Sequence, residues 1–253
     1  MNPEILLSRI RVVLCRPSHP GNIGAAARAM KTMGLSDLRL VSPKQFPDPE
    51  ADVRATGAVD VLQRAKITGD LAQALQGCVL TVALSARARD LGPAPATPRT
   101  AVERLVAAAG EGDVALVFGN ETSGLSNEEL GLCQLAVSIP TNPDFSSLNL
   151  GAAVQVLCYE CRMAAHAGAA PLLEQHATPF SAPPATHDEL EGLYRHLEQV
   201  MTATGFFNPA QPGRLLQKVR RLFGRIALER DEVNILRGIL SATQSPTRHG
   251  RRD

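Results

Sequence analysis

Tryptophan is absent from this chain, tyrosine occurs twice, and aromatic residues make up 4% of its 253 residues. A row of aromatic faces for stacking bases is therefore not an obvious device here. An excess of one charge is lacking too: 26 Lys and Arg stand against 25 Asp and Glu, a formal net charge of +1. The chain is no polycation, and any surface for a polyanion must be a local patch. Five cysteines, an odd number, are scattered in apolar contexts, which argues against a disulfide framework and for a reducing compartment. Residues 1–8 lack the apolar core of a secretion signal. No uninterrupted apolar run approaches the ~20 residues of a membrane helix, because Asn149, Gln155, Glu160, Arg162 and His166 interrupt the stretch from Leu148 to Ala170. A soluble cytoplasmic protein is expected, with no membrane partner. Neither a G-x-G-x-x-G fingerprint nor a G-x-x-x-x-G-K-[ST] phosphate loop is present. Cys158 and Cys161 form a C-x-x-C pair on an apolar helix without the second pair that a structural zinc site requires, so no metal is expected and the thiols read as buried structural groups.

What is present is a regular alternation. Hydrophobic residues make up 44% of the chain, enough for one core with a small appendage. Strand-like runs at Ile10–Leu14, Leu38–Val41, Val79–Leu84, Val114–Phe118 and Leu135–Ile139 alternate with helical patterns. The helices are expected at Asn22–Met33, Asp52–Ala65, Asp70–Leu75, Thr97–Ala109, Ser126–Leu132 and Leu148–His166. Asp70 reads as an N-cap, Pro98 as a first-turn residue, and Ser126 with Glu129 as a capping box. Nearly continuous apolar strands between helices predict an α/β fold, a parallel sheet with helices on both faces. After about residue 167 the composition turns to Ala and Pro, a linker of roughly extended chain. Beyond it the pattern is wholly helical: Thr186, capping with Glu189, to Thr204, then Arg214–Leu228 and Asp231–Ala242, with a polar tail from Ser245. The expected organisation is an α/β domain over 1–167, a Pro/Ala-rich linker over 168–185 and a small all-α domain over 186–253.

Three blocks carry candidate chemistry. A loop ending in Gly21-Asn22-Ile23-Gly24 follows the first strand, and Arg28 lies six residues after Asn22, able to lean back toward it. An Asn and an Arg near a helix N-terminus suit a phosphate and a hydroxyl, although Arg28 also reads as a plain surface arginine. Phe118-Gly119-Asn120-Glu121 follows the fourth strand. Gly119 there would offer bare backbone to a ligand, and Glu121 would orient Arg28 or a substrate hydroxyl, or simply cap a helix. Phe145–Gly151 hands the fifth strand over to a long helix, with Ser146 or Ser147 as its N-cap or as ligand contacts. Ser85-Ala86-Arg87, after the third strand, adds backbone donors and a cation, or is a plain loop. In a parallel sheet all these loops emerge at one edge and can converge. Separately, Arg214, Lys218, Arg221 and Arg225 share one helix face beside Leu215, Val219, Leu222 and Ile226. That stripe is either a solvated face or a phosphate-contacting surface with steep salt dependence.

In Asn22-x-Gly24-x-x-x-Arg28, in Phe118 to Leu125, and in Ile139-Pro140 followed by Ser147-Leu148-Asn149, the sequence resembles the SPOUT class of RNA methyltransferases, TrmH-like branch. Val219–Arg225 and Glu232–Leu240 are similar to the tail of its TrmJ-type members. The resemblance implies a C-terminal trefoil knot in the α/β domain and S-adenosylmethionine as methyl donor. By position, Leu84, Ser85, Ala86, Gly119, Ile139, Ser146, Ser147 and Leu148 would hold that donor. It further implies a homodimer with a tRNA site spanning both subunits. The reaction would be 2′-O-methylation of cytidine or uridine at position 32 of the anticodon loop. Asn22, Arg28, Glu121, Ser147 and Asn149 would form the reaction centre, with Arg28, Arg87, Arg214, Lys218, Arg221 and Arg225 as RNA contacts. Because a guanidinium stays protonated, Arg28 is expected to anchor phosphate and hydroxyl, leaving the proton to Ser147 or water. The alternatives are the same chemistry on ribosomal RNA or another tRNA ribose, and a non-catalytic RNA-binding protein.

Overall fold

The computed structural model describes residues 1–85, 92–167 and 182–244. Ala86, Arg87, most of the Pro/Ala-rich segment and the tail from Ser245 lie outside the described residues.

In chain order the first half contains α1 (Pro3–Ser8), β1 (Ile10–Cys15), α2 (Pro20–Thr32), β2 (Asp37–Val41), α3 (Pro49–Ala55), α4 (Val59–Gln63), β3 (Lys66–Thr68), α5 (Leu71–Leu75) and β4 (Cys78–Leu84). Then come β5 (Ala94–Ala96), α6 (Pro98–Ala108), β6 (Asp113–Phe118), α7 (Asn127–Gly131), β7 (Leu135–Val137) and α8 (Leu150–His166). The strands form one seven-stranded sheet in the order β3-β2-β1-β6-β4-β7-β5, and every pairing is parallel. β1 and β6 are central. Ile10, Val12, Leu14, Val114, Leu116 and Phe118 point into a large core with α2, α6 and α8. Val13, Cys15, Ala115 and Val117 point the other way, into a smaller core with α5 and α7. Burial on both faces is why these strands read as continuous apolar runs rather than alternating ones.

Local capping behaves as the sequence predicts. Asp70 accepts from the Gln73 N–H, Ser126 and Glu129 form a reciprocal capping box, and Thr97 caps a helix that begins at Pro98. Four expectations need correction. Gly21–Gly24 is not a loop: α2 begins at Pro20, so Asn22 and Gly24 stand in its first two turns. The helix expected over 52–65 is interrupted at Thr56, whose φ of 51° ends α3 before a short 3-10 turn leads into α4. Strands β3 and β5, three residues each, were not expected at all. Finally, Asn149 rather than Ser146 or Ser147 caps α8, accepting from the Gly151 N–H.

The C-terminal part is helical: α9 (His187–Ala203, with the Thr186/Glu189 capping box), α10 (Leu215–Gly224) and α11 (Arg230–Gln244). Arg214 and Arg225 are the two caps of α10, which is shorter than expected. Ala185, Leu193, Leu228 and Val233 form its own small core. Residues 182–185, expected as linker, are tied into this part. Ala182 N–H donates to Glu229, Ala185 N–H to Leu228 O, and Arg230 N–H to Pro183 O. All five cysteines are buried free thiols, and burial pushes the Cys158 thiol up to about 12. Among the described residues no helix is long and apolar enough to cross a membrane. No group of three or more His, Cys, Asp or Glu among them could hold a metal ion.

Candidate active site

Because the sheet is parallel, the C-terminal ends of β1, β6, β4 and β7 lie on one edge, and the loops after them meet there. Glu121, in the loop after β6, is the hub. One carboxylate oxygen accepts from the Ser18 N–H at 2.9 Å and the Ser18 hydroxyl at 2.8 Å. The other accepts from Asn22 Nδ2 at 3.0 Å and the His19 N–H at 3.3 Å. Asn22 Oδ1 in turn accepts from Asn149 Nδ2 at 2.9 Å, and Asn149 Oδ1 accepts from the Gly151 N–H at 2.9 Å. One chain of hydrogen bonds therefore joins the loop after β6, the start of α2 and the start of α8, its two long links spanning 99 and 127 positions of the sequence.

The electrostatics follow from this geometry. Partial burial works against ionisation of Glu121, but the hydrogen bonds from Asn22 and Ser18 outweigh it and bring the carboxyl down to about 2. The carboxylate also sits at the N-terminus of α2, where His19 is the N-cap and makes no side-chain capping bond. The helix field there favours an anion, so Glu121 acts as the cap that the helix's own sequence lacks. Ser18 is a site residue that sequence reasoning missed. The only hint is a hydroxyl residue just before a helix that opens with proline, which reads as an ordinary local cap.

Two glycines fix the loops by close approach. A Cβ on Gly119 would lie 2.2 Å from the Gly124 carbonyl carbon, so its bareness serves the fold-back of its own loop. A Cβ on Gly151 would lie 2.7 Å from Ala25 Cβ, which lets α8 press against α2 and bring Asn149 to Asn22. Asn120 holds the same loop to the end of β1, donating to Arg16 O at 2.7 Å and accepting from the Thr122 N–H at 2.9 Å. Arg16 itself pairs with Glu129 at 2.7 Å.

Of the predicted reaction-centre residues, Asn22, Glu121 and Asn149 are thus directly linked. Arg28 is not in contact with Glu121. It is exposed on α2, and its guanidinium makes no hydrogen bond or ion pair among the described residues. Ser146, Ser147 and Leu148 are exposed on the approach to α8, and Ser146 O accepts from the Thr141 hydroxyl at 3.2 Å. Leu84 and Ile139 are half-buried against the main core. The Ser85 N–H is already bonded to Val137 O at 2.9 Å. Leu84 and Ile139 are half-buried aliphatic groups and Ser146, Ser147 and Leu148 are exposed, residue types compatible with a nucleoside-bearing cofactor. The basic stripe of α10 is elsewhere and is divided. Arg214 and Arg221 line a cavity of about 420 Å³ between α10 and the α7 face; Arg221 is half-buried, while Arg214, Lys218 and Arg225 are exposed.

Residues 9–159 match the model of the SpoU rRNA methylase family. The chain belongs to the SpoU methylase family. Residues 188–252 match the C-terminal domain of the tRNA methyltransferase TrmJ. A Pseudomonas aeruginosa tRNA (cytidine/uridine/adenosine-2′-O-)-methyltransferase TrmJ is 49% identical over 251 residues, covering 96% of each chain. The crystal structure of TrmJ from Z. mobilis ZM4 superposes with a TM-score of 0.79 at 34% identity, covering 93% of this chain and 99% of that one. A third SpoU methyltransferase, AviRb from Streptomyces viridochromogenes, was solved in complex with the cofactor AdoMet. It matches with a TM-score of 0.51 at 26% identity, over 62% of this chain and 61% of its own. The sheet of this SpoU methylase thus has solved counterparts, and its C-terminal helices are shared with TrmJ over nearly the full length.

Proposed function

We propose that this SpoU methylase transfers a methyl group from S-adenosylmethionine to a tRNA ribose 2′-oxygen, at cytidine or uridine 32 of the anticodon loop. The observation that carries the reading is the hydrogen-bonded chain Glu121–Asn22–Asn149 at the sheet edge, in a polypeptide whose likeness to TrmJ runs through the C-terminal helices. Leu84, Ser85, Ala86, Gly119, Ile139, Ser146, Ser147 and Leu148 would hold the cofactor. When bound, it supplies an electrophilic sulfonium methyl group. The protein's task is then to align the 2′-oxygen at about 3–3.5 Å and to take one proton.

Each side chain has a role that its surroundings allow. Glu121, with its pKa near 2 and four donors already on its oxygens, is a poor proton acceptor at neutral pH. It serves as a fixed anion that sets the orientation of Asn22 and, through it, of Asn149. Arg28 remains charged and has a free guanidinium among the described residues, so it anchors the target phosphate and hydroxyl. Ser147, exposed beside the capping Asn149, or a water molecule passes the proton on to solvent, giving up one proton as it receives another. Arg87 and the basic residues Arg214, Lys218, Arg221 and Arg225 contact the RNA backbone. The loop after β7 and the start of α8 carry the trefoil knot, in an α/β domain over 1–167 that a linker, expected over 168–185 but ended at Ala182 by its bond to Glu229, joins to a helical, tRNA-binding domain.

The working form is a homodimer, with the RNA site shared between subunits. Supporting this, Phe145 is 80% exposed, Tyr159 48% and Met163 51%, an apolar set on α8 and the loop before it that a second copy would cover. We take the cytoplasm as its compartment, since that is where its RNA substrate is met. The test is incubation with methyl-labelled S-adenosylmethionine and unmodified tRNA, followed by mapping of 2′-O-methyl positions. Label at nucleotide 32 is expected. Label only in ribosomal RNA, or at another tRNA ribose, overturns the substrate assignment, and no incorporation into any RNA overturns the enzymatic one. Arg28→Lys is expected to lower turnover at least tenfold, since one ammonium cannot reproduce a two-point contact; near-normal turnover with intact tRNA binding overturns the bidentate role.

A further inference from the structure

Arg16 follows β1 directly and has a φ of 50°, the left-handed region that side-chain-bearing residues rarely adopt. The conformation turns its groups in three directions. Its N–H donates to Val41 O at 2.8 Å, at the end of β2. Its carbonyl accepts from Asn120 Nδ2 at 2.7 Å. Its guanidinium reaches Glu129 with two arms, at 3.1 and 2.7 Å, and lies 3.4 Å from Gly124 O.

These contacts bracket Glu121. The loop that carries it leaves β6 at Gly119 and ends at the buried Leu125. Asn120, at its entrance, hangs on the Arg16 carbonyl, and Gly124, at its exit, on the Arg16 side chain. Between those two ties, Ser18 and His19 donate to Glu121, supplying three of its four donors. Ser18 and His19 stand two and three residues after Arg16. One residue thus holds both ends of the loop to the segment that its carboxylate reads.

The outer anchor is stiff. The Glu129 oxygen that meets Arg16 Nη2 also accepts from the Ser126 N–H at 2.7 Å, within the capping box of α7. The Arg16 side chain, by contrast, is 45% exposed, so replacing it opens no cavity in the core. A left-handed arginine is costly and a half-exposed ion pair adds little to stability. What the contacts of Arg16 fix is therefore the place of the loop more than the stability of the fold.

We propose that Arg16 is a positioning residue for methyl transfer. By tying both ends of the 119–125 loop to the end of β1, it sets Glu121, and through Glu121 the amides of Asn22 and Asn149. It touches neither substrate nor cofactor in this role. Arginine suits the task because its planar fork meets both Glu129 oxygens and still reaches Gly124 O, whereas lysine offers a single point of charge. This rests on the RNA-methylation reading above.

The test compares the full chain with its Arg16→Gln, Arg16→Lys and Arg16→Gly variants. Three quantities are measured: kcat and KM with unmodified tRNA, melting temperature, and the titration midpoint of the Glu121 carboxyl by carbon NMR. Glycine accepts a positive φ without strain, so Arg16→Gly removes the guanidinium while favouring the turn. Arg16→Gln and Arg16→Gly are expected to lower kcat about 5- to 20-fold, with KM for tRNA within about twofold of wild type. Melting temperatures should stay within about 3 °C of wild type. The Glu121 midpoint should rise from about 2 as its donors loosen, and Arg16→Lys should recover part of kcat. Unchanged kcat in Arg16→Gln and Arg16→Gly overturns the proposal. So does a raised KM for tRNA at normal kcat, which would make Arg16 an RNA contact. A fall in kcat with the Glu121 midpoint unmoved, or one that merely tracks melting temperature across the three variants, overturns it too. A wild-type chain that methylates no RNA overturns the functional reading as well; normal wild-type activity with indifferent variants overturns only the role of Arg16.

Discussion

Replacing Glu121 with Gln tests the hub of the site most directly. Four donors converge on its two oxygens, and an amide offers only one oxygen to accept them, so its NH₂ must face at least one donor. The charge is worth something as well. Lowering the carboxyl from 4.5 to about 2 corresponds to about 3 kcal/mol at about 1.4 kcal/mol per pH unit. Because Glu121 is only partly buried, solvent screening brings this to about 1–2 kcal/mol. For a chain of this size that is a fall in melting temperature of about 2–8 °C. The sign of the pH dependence is fixed. A carboxyl whose folded value lies below its unfolded value contributes stability fully above about 4.5, and loses it as the pH drops toward 2. The gap between wild type and Glu121→Gln in urea denaturation should therefore be full at pH 7 and shrink to roughly half or less by pH 3. Turnover should fall together with the gap at pH 7, because Asn22 and Asn149 lose their fixed orientation. A gap that is the same at pH 7 and pH 3 would mean that shape, not charge, explains the loss, and the reasoning would fail. So would a directly measured Glu121 carboxyl near 4.5.

Two further substitutions separate capping from chemistry and packing. Asn149→Asp keeps an oxygen for the Gly151 N–H but loses the donor to Asn22 Oδ1. Melting temperature should stay within about 3 °C of wild type while kcat falls at least tenfold; parallel loss of both would reduce Asn149 to a cap. Gly151→Ala should destabilise by about 1–3 kcal/mol, since its new methyl meets Ala25 Cβ at 2.7 Å. Ala25→Gly in the same chain should restore most of that in a double-mutant cycle, and simple additivity of the two would refute the contact.

Much of the fold is legible in the sequence because it is written locally. The capping boxes at Ser126/Glu129 and Thr186/Glu189 close over three residues. The central strands are apolar on both faces because both faces are covered. Illegible elements lack such a signature. β3 and β5 are three-residue edge strands with partly exposed side chains, too short for any period to show. The break in the 52–65 helix turns on one residue, Thr56, adopting a positive φ that the apolar spacing does not register. At α8, Ser146, Ser147 and Asn149 are all plausible caps by type, and the choice falls to Asn149 because Gly151 packs on Ala25 and sets where the helix can begin.

By itself the sequence determined the α/β class, the alternation of β1, β2, β4, β6 and β7 with helices, the three blocks that carry the family motifs, and the amphipathic basic helix near the C-terminus. These depend on periodicity, caps and residue types within a few positions of one another. Only the tertiary structure decided that Glu121 serves as the missing cap of α2, and that Ser18, not Arg28, is its neighbour. It alone set Arg214, Arg220 and Arg221 around one cavity. Each of those outcomes joins groups that are distant in the chain, and a hydrogen bond or a shared cavity between such groups exists only once the sheet has set the two segments side by side.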